Sequence, residues 1–311
     1  MKVLVTGGAG FIGRWVVKKL LDDNHQVIAL DNLSNGQKTN IDVFQNNQNF
    51  EFIKGDILDN NLIQELFNKD IDLCIHLAAQ IEVQESLENT KKPFENNVIG
   101  TYNILEAAKK RNTKVTLIGT CMVYDIANLS KAIDENHPVK PASPYAGSKL
   151  AAENLALSYH LGIGLPVTIL RPFNTYGPFQ KTNMEGGVVS IFIKRNLNNE
   201  TLNIFGKGTQ TRDLLYVEDC AEFIVKATMD NKATGHIINA GLGKDITINE
   251  LAYLICKDNN KIKHIPHHHP QSEIAKLQCD SSKAKQLLGW EPKTNLEEGI
   301  KKTEEWIRTQ I

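Results

Sequence analysis

The stretch VTGGAGFIG, residues 5–13, decides the fold. It joins an apolar run that begins at Lys2 to a segment with helical spacing, and it places Gly7, Gly10 and Gly13 three residues apart. Glycines at this spacing allow a tight turn, a close approach of the backbone to a pyrophosphate and close packing of a helix on a strand. The N-terminus of that helix offers free N–H groups to phosphate oxygens. The stretch therefore predicts a strand–turn–helix unit that binds a dinucleotide.

The segments after residue 13 continue the alternation of strand and helix. Helical segments such as RWVVKKLLDD and VIGTYNILEAAKKR separate six short apolar runs: KVLVTG, QVIALD, FEFIKGD, LCIHLAA, VTLIGT and VTILRP. Continuous apolar runs are typical of strands buried on both faces, and their alternation with helices indicates parallel pairing through right-handed crossovers. We expect an α/β fold, a Rossmann-like doubly wound parallel sheet that binds its ligand at the carboxyl ends of the strands.

From about Tyr176 the elements become shorter and are interrupted by Gly and Pro. Helical spacing returns at 218–230, 248–258, 282–292 and 296–310. We predict a dinucleotide-binding domain at 1–175 and a smaller α/β substrate domain at 176–311. The two domains are expected to interdigitate, because the apolar runs LLYV and HIINAG could rejoin the main sheet.

The composition narrows the functional class. A formal net charge of −1 with 41% hydrophobic and 23% charged residues is ordinary for a globular protein, and it speaks against a nucleic-acid or membrane-surface partner. No apolar run reaches the ~20 residues of a membrane span, and no signal peptide precedes the first strand. We expect a cytoplasmic protein without disulfides, because the five cysteines are scattered: Cys74, Cys121, Cys220, Cys256 and Cys279.

Polar residues at the ends of later strands complete a cofactor site. Asp31 lies twenty-one residues after Gly10, at the end of the second strand. A carboxylate there accepts hydrogen bonds from the adenosine ribose and repels a 2′-phosphate, which favours NAD over NADP. The predicted cofactor residues at these strand ends are Gly7, Gly10, Phe11, Ile12, Asp31, Asn32, Ser34, Asn35, Asp56, Ile57, Leu77, Ala78 and Ala79.

The segment YAGSK, residues 145–149, carries the predicted chemistry. Tyr145 and Lys149 are four residues apart at the start of a helix, so their side chains lie on one face. A phenol with a pKa near ~10 is a poor base at neutral pH, and a neighbouring ammonium favours the phenolate. Tyr145 could then remove a proton from a substrate alcohol while hydride leaves its carbon. Thr120, at the end of the fifth strand, completes the predicted set.

Taken in order, GGAGFIG, Asp31, HLAA, Thr120 with VYD, YAGSK, RPFNTYGP and QTRDLLYVEDC resemble the extended short-chain dehydrogenase/reductases along essentially the whole chain. The resemblance is to their nucleotide-sugar epimerase and dehydratase branch. It implies a tightly held NAD, the catalytic set Thr120, Tyr145 and Lys149, and a homodimer or higher homo-oligomer. Helices 96–111 and 146–161 are amphipathic enough to build the family's dimer interface, although internal packing would give the same pattern. The resemblance adds Asn97, Tyr145, Lys149 and Pro172 to the cofactor neighbourhood. The residues that it implies for a UDP-sugar substrate are Met122, Asn174, Val188, Asn203, Phe205 and Arg212.

Two features of the phosphate end leave alternatives open. Arg212 suits a phosphate, but it could instead pair with Asp213 or Glu218 on the surface. Many relatives carry a second phosphate-binding Arg near the C-terminus, whereas the loop HHHPQSEIAKLQCD has Gln271 and three histidines there. The run His267–His269, with His264 and Glu273 nearby, could bind a metal; we expect a polar loop near a ligand phosphate and no metal.

The residues after Thr120 bear on the reaction. By resemblance, sugar 4,6-dehydratases place Asp-Glu or Ser-Glu at these two positions, whereas this chain has Cys121 and Met122. Methionine exchanges no proton, but a thiol has a pKa near ~8.5 that falls beside positive charge. Cys121 could assist removal of the C5 proton or departure of the C6 oxygen, or it could be a packed hydrophobe.

The run Thr-Cys-Met-Val-Tyr resembles that of exo-glycal-forming UDP-N-acetylglucosamine 5,6-dehydratases. This favours transient C4 oxidation by NAD followed by loss of water from a UDP-amino sugar, which is a lyase reaction. The alternative is a UDP-sugar 4-epimerase, an isomerase. A ketosugar reductase that uses NADPH is opposed by Asp31. A non-catalytic NAD sensor is opposed by the presence of Tyr145 and Lys149.

Overall fold

The computed structural model describes residues 1–125, 131–183, 187–267 and 274–311. A seven-stranded parallel sheet in the order β10-β6-β5-β4-β1-β2-β3 forms its centre. Beside it lie a three-stranded sheet, β11-β9-β7, and the pair β12-β8. The strands are β1 Lys2–Thr6, β2 Gln26–Asp31, β3 Phe50–Lys54, β4 Leu73–His76, β5 Lys114–Ile118, β6 Val167–Pro172, β7 Asn174–Tyr176, β8 Leu202–Phe205, β9 Thr211–Tyr216, β10 Ile237–Ala240, β11 Asp245–Thr247 and β12 Ile262–Ile265.

The strand order reverses between β1 and β4, as in a doubly wound sheet. The six apolar runs of the first half form β1 to β6, which confirms those predictions and the fold class. HIINAG forms β10 and pairs with β6, so the second half of the chain does rejoin the main sheet. The prediction that LLYV also rejoins it is wrong, because that run lies in β9 between β7 and β11.

The helices start and stop where the local sequence directs. The helix that carries Tyr145 begins with Pro144 in its first turn, and the Ser143 hydroxyl accepts a hydrogen bond from the Ala146 N–H. It ends at Gly164, whose φ of +80° glycine adopts freely. The helices are α1 Phe11–Asp22, α2 Asn60–Phe67, α3 Val83–Glu88, α4 Lys91–Pro93, α5 Gly100–Arg111, α6 Pro144–Ile163, α7 Val188–Leu197, α8 Val217–Met229, α9 Ile248–Ile255, α10 Ser282–Leu288 and α11 Leu296–Arg308.

In the described part of the chain, three large apolar cores hold these layers together, and a smaller fourth core lies around Cys121, Tyr124 and Phe173. On one face of the main sheet, side chains of α1, α8 and α10 pack with Trp290. On the other face, α2, α5 and α6 cover β4, β5 and β6. A third core lies in the C-terminal half between α7, α9 and α11 and the strands β8 and β9. The helix predicted at 248–258 ends at Ile255, and a π-helical turn at Phe94–Ile99 precedes α5.

All five cysteines are free and buried. Among the helices that the structure describes, none is long and apolar enough to cross a membrane.

Replacing Trp290 tests the packing of the first core. Its side chain is 2% exposed and its ring centroid lies 4.9 Å from that of Phe223. We expect Trp290→Ala to lower the free energy of unfolding by about 3–5 kcal/mol, because a large buried ring leaves a cavity. Tyr253→Ala, at a site that is 54% exposed, should cost less than about 1 kcal/mol. Chemical denaturation followed by circular dichroism measures both, and equal losses would contradict the placement of Trp290 in the core.

Candidate active site

A cavity of about 570 Å³ opens at the carboxyl ends of the main-sheet strands, between that sheet and the C-terminal elements. Most residues predicted from the sequence line it, from both halves of the chain. These are Gly7, Gly10, Phe11, Ile12, Asp31, Asn32, Ser34, Asn35, Ile57, Leu77, Ala78, Ala79, Thr120, Cys121, Met122, Tyr145, Lys149, Pro172, Asn174, Val188, Asn203, Phe205 and Arg212. Asp56 and Asn97, which were predicted for the cofactor site, are not among the lining residues.

The glycine turn leaves no room for side chains. A β-carbon on Gly13 would lie 2.0 Å from the Gly7 carbonyl oxygen, and one on Gly7 would lie 2.8 Å from the Ala78 nitrogen. Gly7 also has a φ of +71°, which few other residues adopt. The twelve-residue helix α1 starts directly at this turn and has no side-chain cap on its first N–H groups. These donors at a helix N-terminus fit the pyrophosphate of a dinucleotide.

Asp31 lies at the end of β2 with its carboxylate over the same turn. Its Oδ2 accepts a hydrogen bond from the Ala9 N–H at 3.0 Å, and its Oδ1 accepts one from the Leu33 N–H at 2.8 Å. Burial raises the pKa of Asp31, and the two N–H groups oppose that rise. A carboxylate has about four acceptor positions, so two remain for hydroxyls such as a ribose diol.

Asp56 and Asn97 lie outside the cavity lining and form hydrogen bonds with other residues. Asp56 Oδ2 accepts a hydrogen bond from the Asn32 amide at 2.8 Å, so it holds the loop after β2 rather than a ligand. Asn97 is buried in the π-helical turn, and its amide bridges the Gln80 backbone and the Ser148 hydroxyl. Both residues position their neighbours, which spacing along the sequence does not reveal.

Thr120, Tyr145 and Lys149 meet at the carboxyl end of β5. The Lys149 ammonium donates to the Ile118 carbonyl oxygen at 2.6 Å. Burial lowers the pKa of Lys149 to about 8, and the Glu153 carboxylate opposes that shift. Burial raises the pKa of Tyr145 to about 12, while a hydrogen bond with the Thr120 side chain opposes the rise. The predicted lowering of the phenol pKa by Lys149 is therefore outweighed by burial.

Cys121 also departs from its predicted electrostatics. Its thiol is 3% exposed and packs with Val123, Phe173 and Leu277. Burial raises its pKa to about 12, and Arg212 opposes this rise only in part. We expected a pKa lowered by positive charge, and that direction is wrong because desolvation outweighs the neighbouring cations. The thiol is thus neutral at pH 7, and its burial fits the packed hydrophobe that the sequence left open, while Cys121 is also among the residues that line the cavity.

The opposite end of the cavity carries the predicted nucleotide residues. The Arg212 guanidinium donates to the carbonyl oxygens of Thr211 and Ile274 at 2.8 and 2.9 Å. Asp213 is buried and accepts hydrogen bonds from the backbone N–H groups of Leu242, Gly243 and Cys279. Its carboxylate therefore ties three segments together next to Arg212. The Asn174 Oδ1 atom is buried without a hydrogen-bond partner in the described part of the chain, so it can receive a ligand donor.

Two histidines near the predicted phosphate end lie apart from each other. His267 lines the cavity, with its ring centroid 5.9 Å from that of Phe205. His264 lies outside the cavity and hydrogen-bonds Asn249. Residues 187–267 and 274–311, like the described residues before them, contain no group of three or more metal-binding side chains. His268, His269, Gln271 and Glu273 lie outside the described residues.

Sequence reasoning missed several lining residues. Phe173 and Phe192 looked like core positions, and the Phe179–Lys181 segment carried no motif. Lys181 Nζ donates to Asn35 Oδ1 at 2.6 Å, across 146 positions of sequence. No local pattern could have shown a contact of that separation.

Replacing Gly13 by Ala tests the glycine turn. We expect a loss of about 1–3 kcal/mol of stability and weaker binding of NAD, because the new methyl would overlap the Gly7 carbonyl. Gly147→Ala is the matched control, since a β-carbon there meets nothing within 4 Å and alanine favours the helix by up to about 1 kcal/mol. Thermal denaturation and a fluorescence titration with NAD measure the two effects. Equal behaviour of the two variants would contradict the packing at Gly13.

The pH dependence of the stability of Lys149→Met tests whether burial lowers the pKa of the Lys149 ammonium. The pKa of Lys149 in the folded state is about 8, below the ordinary value of 10.5. Burial of the charged ammonium therefore destabilises the fold in full below pH 8, and this destabilisation disappears as the pH rises from about 8 to 10.5. We expect the variant to be more stable than the wild type by about 1–3 kcal/mol at pH 7, with a smaller gain at pH 9.5. Denaturation at both pH values measures this. The exposed control Lys263→Met should show no such trend, and a gain at Lys149 that is independent of pH would refute the assignment.

Known proteins resemble this chain over its whole length. The model of the GDP-mannose 4,6 dehydratase family matches residues 4–303. The structure of Pal from Bacillus thuringiensis has a TM-score of 0.98 and 57% identity, covering 100% of both chains. A putative UDP-glucose 4-epimerase of Methanocaldococcus jannaschii is 40% identical over 98% of each chain. UDP-glucuronic acid 4-epimerase from Bacillus cereus, in complex with UDP-glucuronic acid and NAD, has a TM-score of 0.91 and 33% identity, covering 100% of each chain. The protein is thus a member of the NAD-dependent nucleotide-sugar epimerase and dehydratase family of short-chain dehydrogenase/reductases.

Proposed function

We propose that the protein binds NAD, oxidises a UDP-amino sugar transiently at C4 and then removes water from it, as a UDP-N-acetylglucosamine 5,6-dehydratase. The observation that carries the proposal is the position of Cys121. A neutral thiol borders the cavity directly after Thr120, where by resemblance the family's 4,6-dehydratases have Asp or Ser followed by Glu.

The glycine turn and Asp31 support NAD as the cofactor. The uncapped start of α1 would hold the pyrophosphate, and the free acceptor positions of Asp31 would hold the adenosine ribose. Bound NAD would supply a reversible hydride acceptor for C4. The epimerase from Bacillus cereus, which shares the fold over its whole length, was solved with NAD.

The far end of the cavity suits a uridine diphosphate. Phe205 is 39% exposed and offers an apolar ring beside His267, which fits a flat base. Arg212 is held by two carbonyl oxygens with its planar guanidinium at the cavity wall, and this geometry fits a diphosphate. UDP-glucuronic acid occupies the relative from Bacillus cereus.

Proton transfer at the C4 hydroxyl falls to Tyr145. The Thr120 hydroxyl hydrogen-bonds the phenol, and the Lys149 ammonium lies on the same face of α6. A substrate hydroxyl that donates to the phenol would complete the arrangement. Lys149 in its charged form stabilises the phenolate that accepts the proton.

The wall beside Thr120 favours an uncharged C6 group. Cys121 is neutral and Met122 is apolar, so these two side chains offer a C6 carboxylate no positive charge, and Arg212, the cation that acts on Cys121, is assigned above to the diphosphate. In the described part of the cavity, the Lys149 ammonium is hydrogen-bonded to a backbone carbonyl and that of Lys181 to Asn35. A sugar with a C6 hydroxymethyl group therefore suits this wall better than a uronic acid.

The thiol can serve elimination without ionising. Once C4 is a ketone, the C5 proton is acidic. Cys121 would give its proton to the C6 oxygen as its sulfur takes the proton from C5. The C5–H electron pair forms the C5=C6 bond, the C6–O bond breaks, and water leaves. The exchange does not require the thiol to exist as a thiolate, so it is compatible with the raised pKa of Cys121.

A second candidate, 4-epimerisation, is favoured by a separate observation. Tyr145, Thr120 and Lys149 suffice for reversible oxidation at C4, and neither Cys121 nor Met122 provides a conventional base for C5. An epimerase needs no such base, because it only rotates the ketosugar and returns the hydride to the other face.

Incubation with UDP-N-acetylglucosamine and analysis by mass spectrometry separate the two. We expect a product lighter by one water, with no NAD consumed overall. A product of unchanged mass that is a new diastereomer would establish epimerisation instead, and the absence of any reaction would refute the choice of sugar.

Cys121→Ala tests the thiol. We expect dehydration to slow by roughly 10²-fold, the usual size of a general acid–base contribution. Cys220→Ala is the matched control, because Cys220 is equally buried but lies in α8 and does not line the cavity. Unimpaired dehydration by the Cys121 variant would remove the thiol from the mechanism.

A further inference from the structure

A buried ion pair lies directly behind the predicted catalytic residues. Glu153 on α6 and Arg171 on β6 have side chains that are 1% and 3% exposed. The Nε and Nη2 atoms of Arg171 both donate to Glu153 Oε2, at 3.0 and 2.6 Å. Neither residue lines the cavity, and the steps derived above use neither.

Helix geometry places the carboxylate on the catalytic face. Tyr145, Lys149 and Glu153 follow one another at intervals of four residues in α6, so they form one stripe along it. Glu153 Oε1 faces the peptide that precedes Thr120, because a β-carbon on Gly119 would lie only 2.0 Å from this oxygen. Oε1 makes no hydrogen bond of full geometry within the described residues. Burial raises the pKa of the Glu153 carboxyl, and the Arg171 guanidinium, the Lys149 ammonium and the Thr120 N–H oppose that rise.

Arg171 anchors the carboxylate to the sheet. Its guanidinium carbon lies 4.7 Å from the centroid of the Tyr124 ring. The Tyr124 hydroxyl donates to Asn239 Oδ1 at 2.7 Å, and Asn239 lies in β10, the strand next to β6. The ion pair is thus fixed from β6, β10 and the turn after β5 together.

Stability alone does not account for this arrangement. Desolvation of two charges offsets most of their attraction, and apolar residues of similar volume often replace a buried ion pair without loss. The buried Glu153 carboxylate lies about one helical turn from Lys149, so its charge affects the protonation of that lysine.

We propose that Glu153, held by Arg171, is a positioning residue that keeps Lys149 charged and fixes the Thr120 peptide beside Tyr145. This inference rests on the proposed roles of these three residues in proton transfer at C4.

The charges around Lys149 support this role. Burial lowers the pKa of Lys149 to about 8, and Glu153 is the group that raises it. His76 on β4 is neutral, since burial and Lys149 lower its pKa to about 3. Burial raises the pKa values of the Cys121 thiol and the Tyr124 phenol to about 12, so both are uncharged at pH 7. Within the described ranges, the group whose charge raises the pKa of Lys149 is the Glu153 carboxylate, and the Arg171 guanidinium lies behind it.

The experiment removes both charges together. Glu153→Gln alone leaves a buried, unpaired Arg171 and could fail to fold, so the decisive protein is the double variant Glu153→Gln/Arg171→Met. Its amide oxygen still faces Thr120, but no charge remains. NMR titration of protein labelled with ¹³C at the lysine Cε, assigned with Lys149→Met, reads the pKa of Lys149 directly and without turnover. Glu222→Gln, which removes a carboxylate paired with Lys293 on the surface, is the control.

We expect the pKa of Lys149 to fall in the double variant and to stay unchanged in the control. The alkaline limb of the rate of C4 oxidation should move to lower pH with it. On that limb, a pKa lower by one would reduce the rate at fixed pH roughly tenfold. A folded double variant with an unchanged pKa of Lys149 and an unchanged pH profile would overturn the proposal. If the wild type does not turn over UDP-N-acetylglucosamine, the proposed function fails, while the NMR titration still decides the role of Glu153.

Discussion

The rest of the structure depends on the contact between helix α1 and the Gly7–Gly8 turn. The two segments are so close that Gly13 could not carry a β-carbon. This contact brings the start of the helix onto the carboxyl end of β1. It also sets the position of Ala9, whose N–H donates to Asp31 and whose carbonyl oxygen accepts from Gln37 N–H and the Asn40 amide. The backbone of one turn residue thereby orders the whole loop after β2. Elsewhere the cavity wall comes from strand ends that the parallel sheet aligns at the same edge.

The fold was largely predictable because most strands of the main sheet are buried on both faces and carry a mainly apolar run; the edge strand β3, which is partly exposed and contains Glu51, is the exception. The burial of apolar runs also explains the error at LLYV. That run is buried in β9 of the three-stranded sheet, and an apolar strand looks alike in either sheet, since its pairing partners are determined by distant residues. The end of α9 was placed too late for a related reason. The Thr247–Glu250 capping box marks its start clearly, whereas Cys256 at its end carries no stop signal in the sequence.

The predicted residues that directly follow a strand of the main sheet do line the cavity. Asp56 and Asn97 do not line the cavity: Asp56 accepts a hydrogen bond from Asn32, and Asn97 bridges Gln80 and Ser148, contacts that only the packed structure shows. The pKa of Cys121 was misjudged in direction because sequence indicates nearby charge but not the depth of burial, and burial is the larger effect here. Lys181 was missed because its partner, Asn35, lies in the other half of the chain.

The pairing of β10 with β6 has a consequence for how the chain is made. A nascent chain that has emerged only as far as residue 175 carries β6 as an open edge, with unpaired N–H and C=O groups that invite association with other chains. Tyr124 at that stage also lacks its partner Asn239. The nucleotide-binding half cannot complete its own sheet during translation until residue 240 has been added. The two halves therefore mature as one folding unit, and a gene fragment cut at their sequence boundary would encode an unfinished sheet rather than a transferable module.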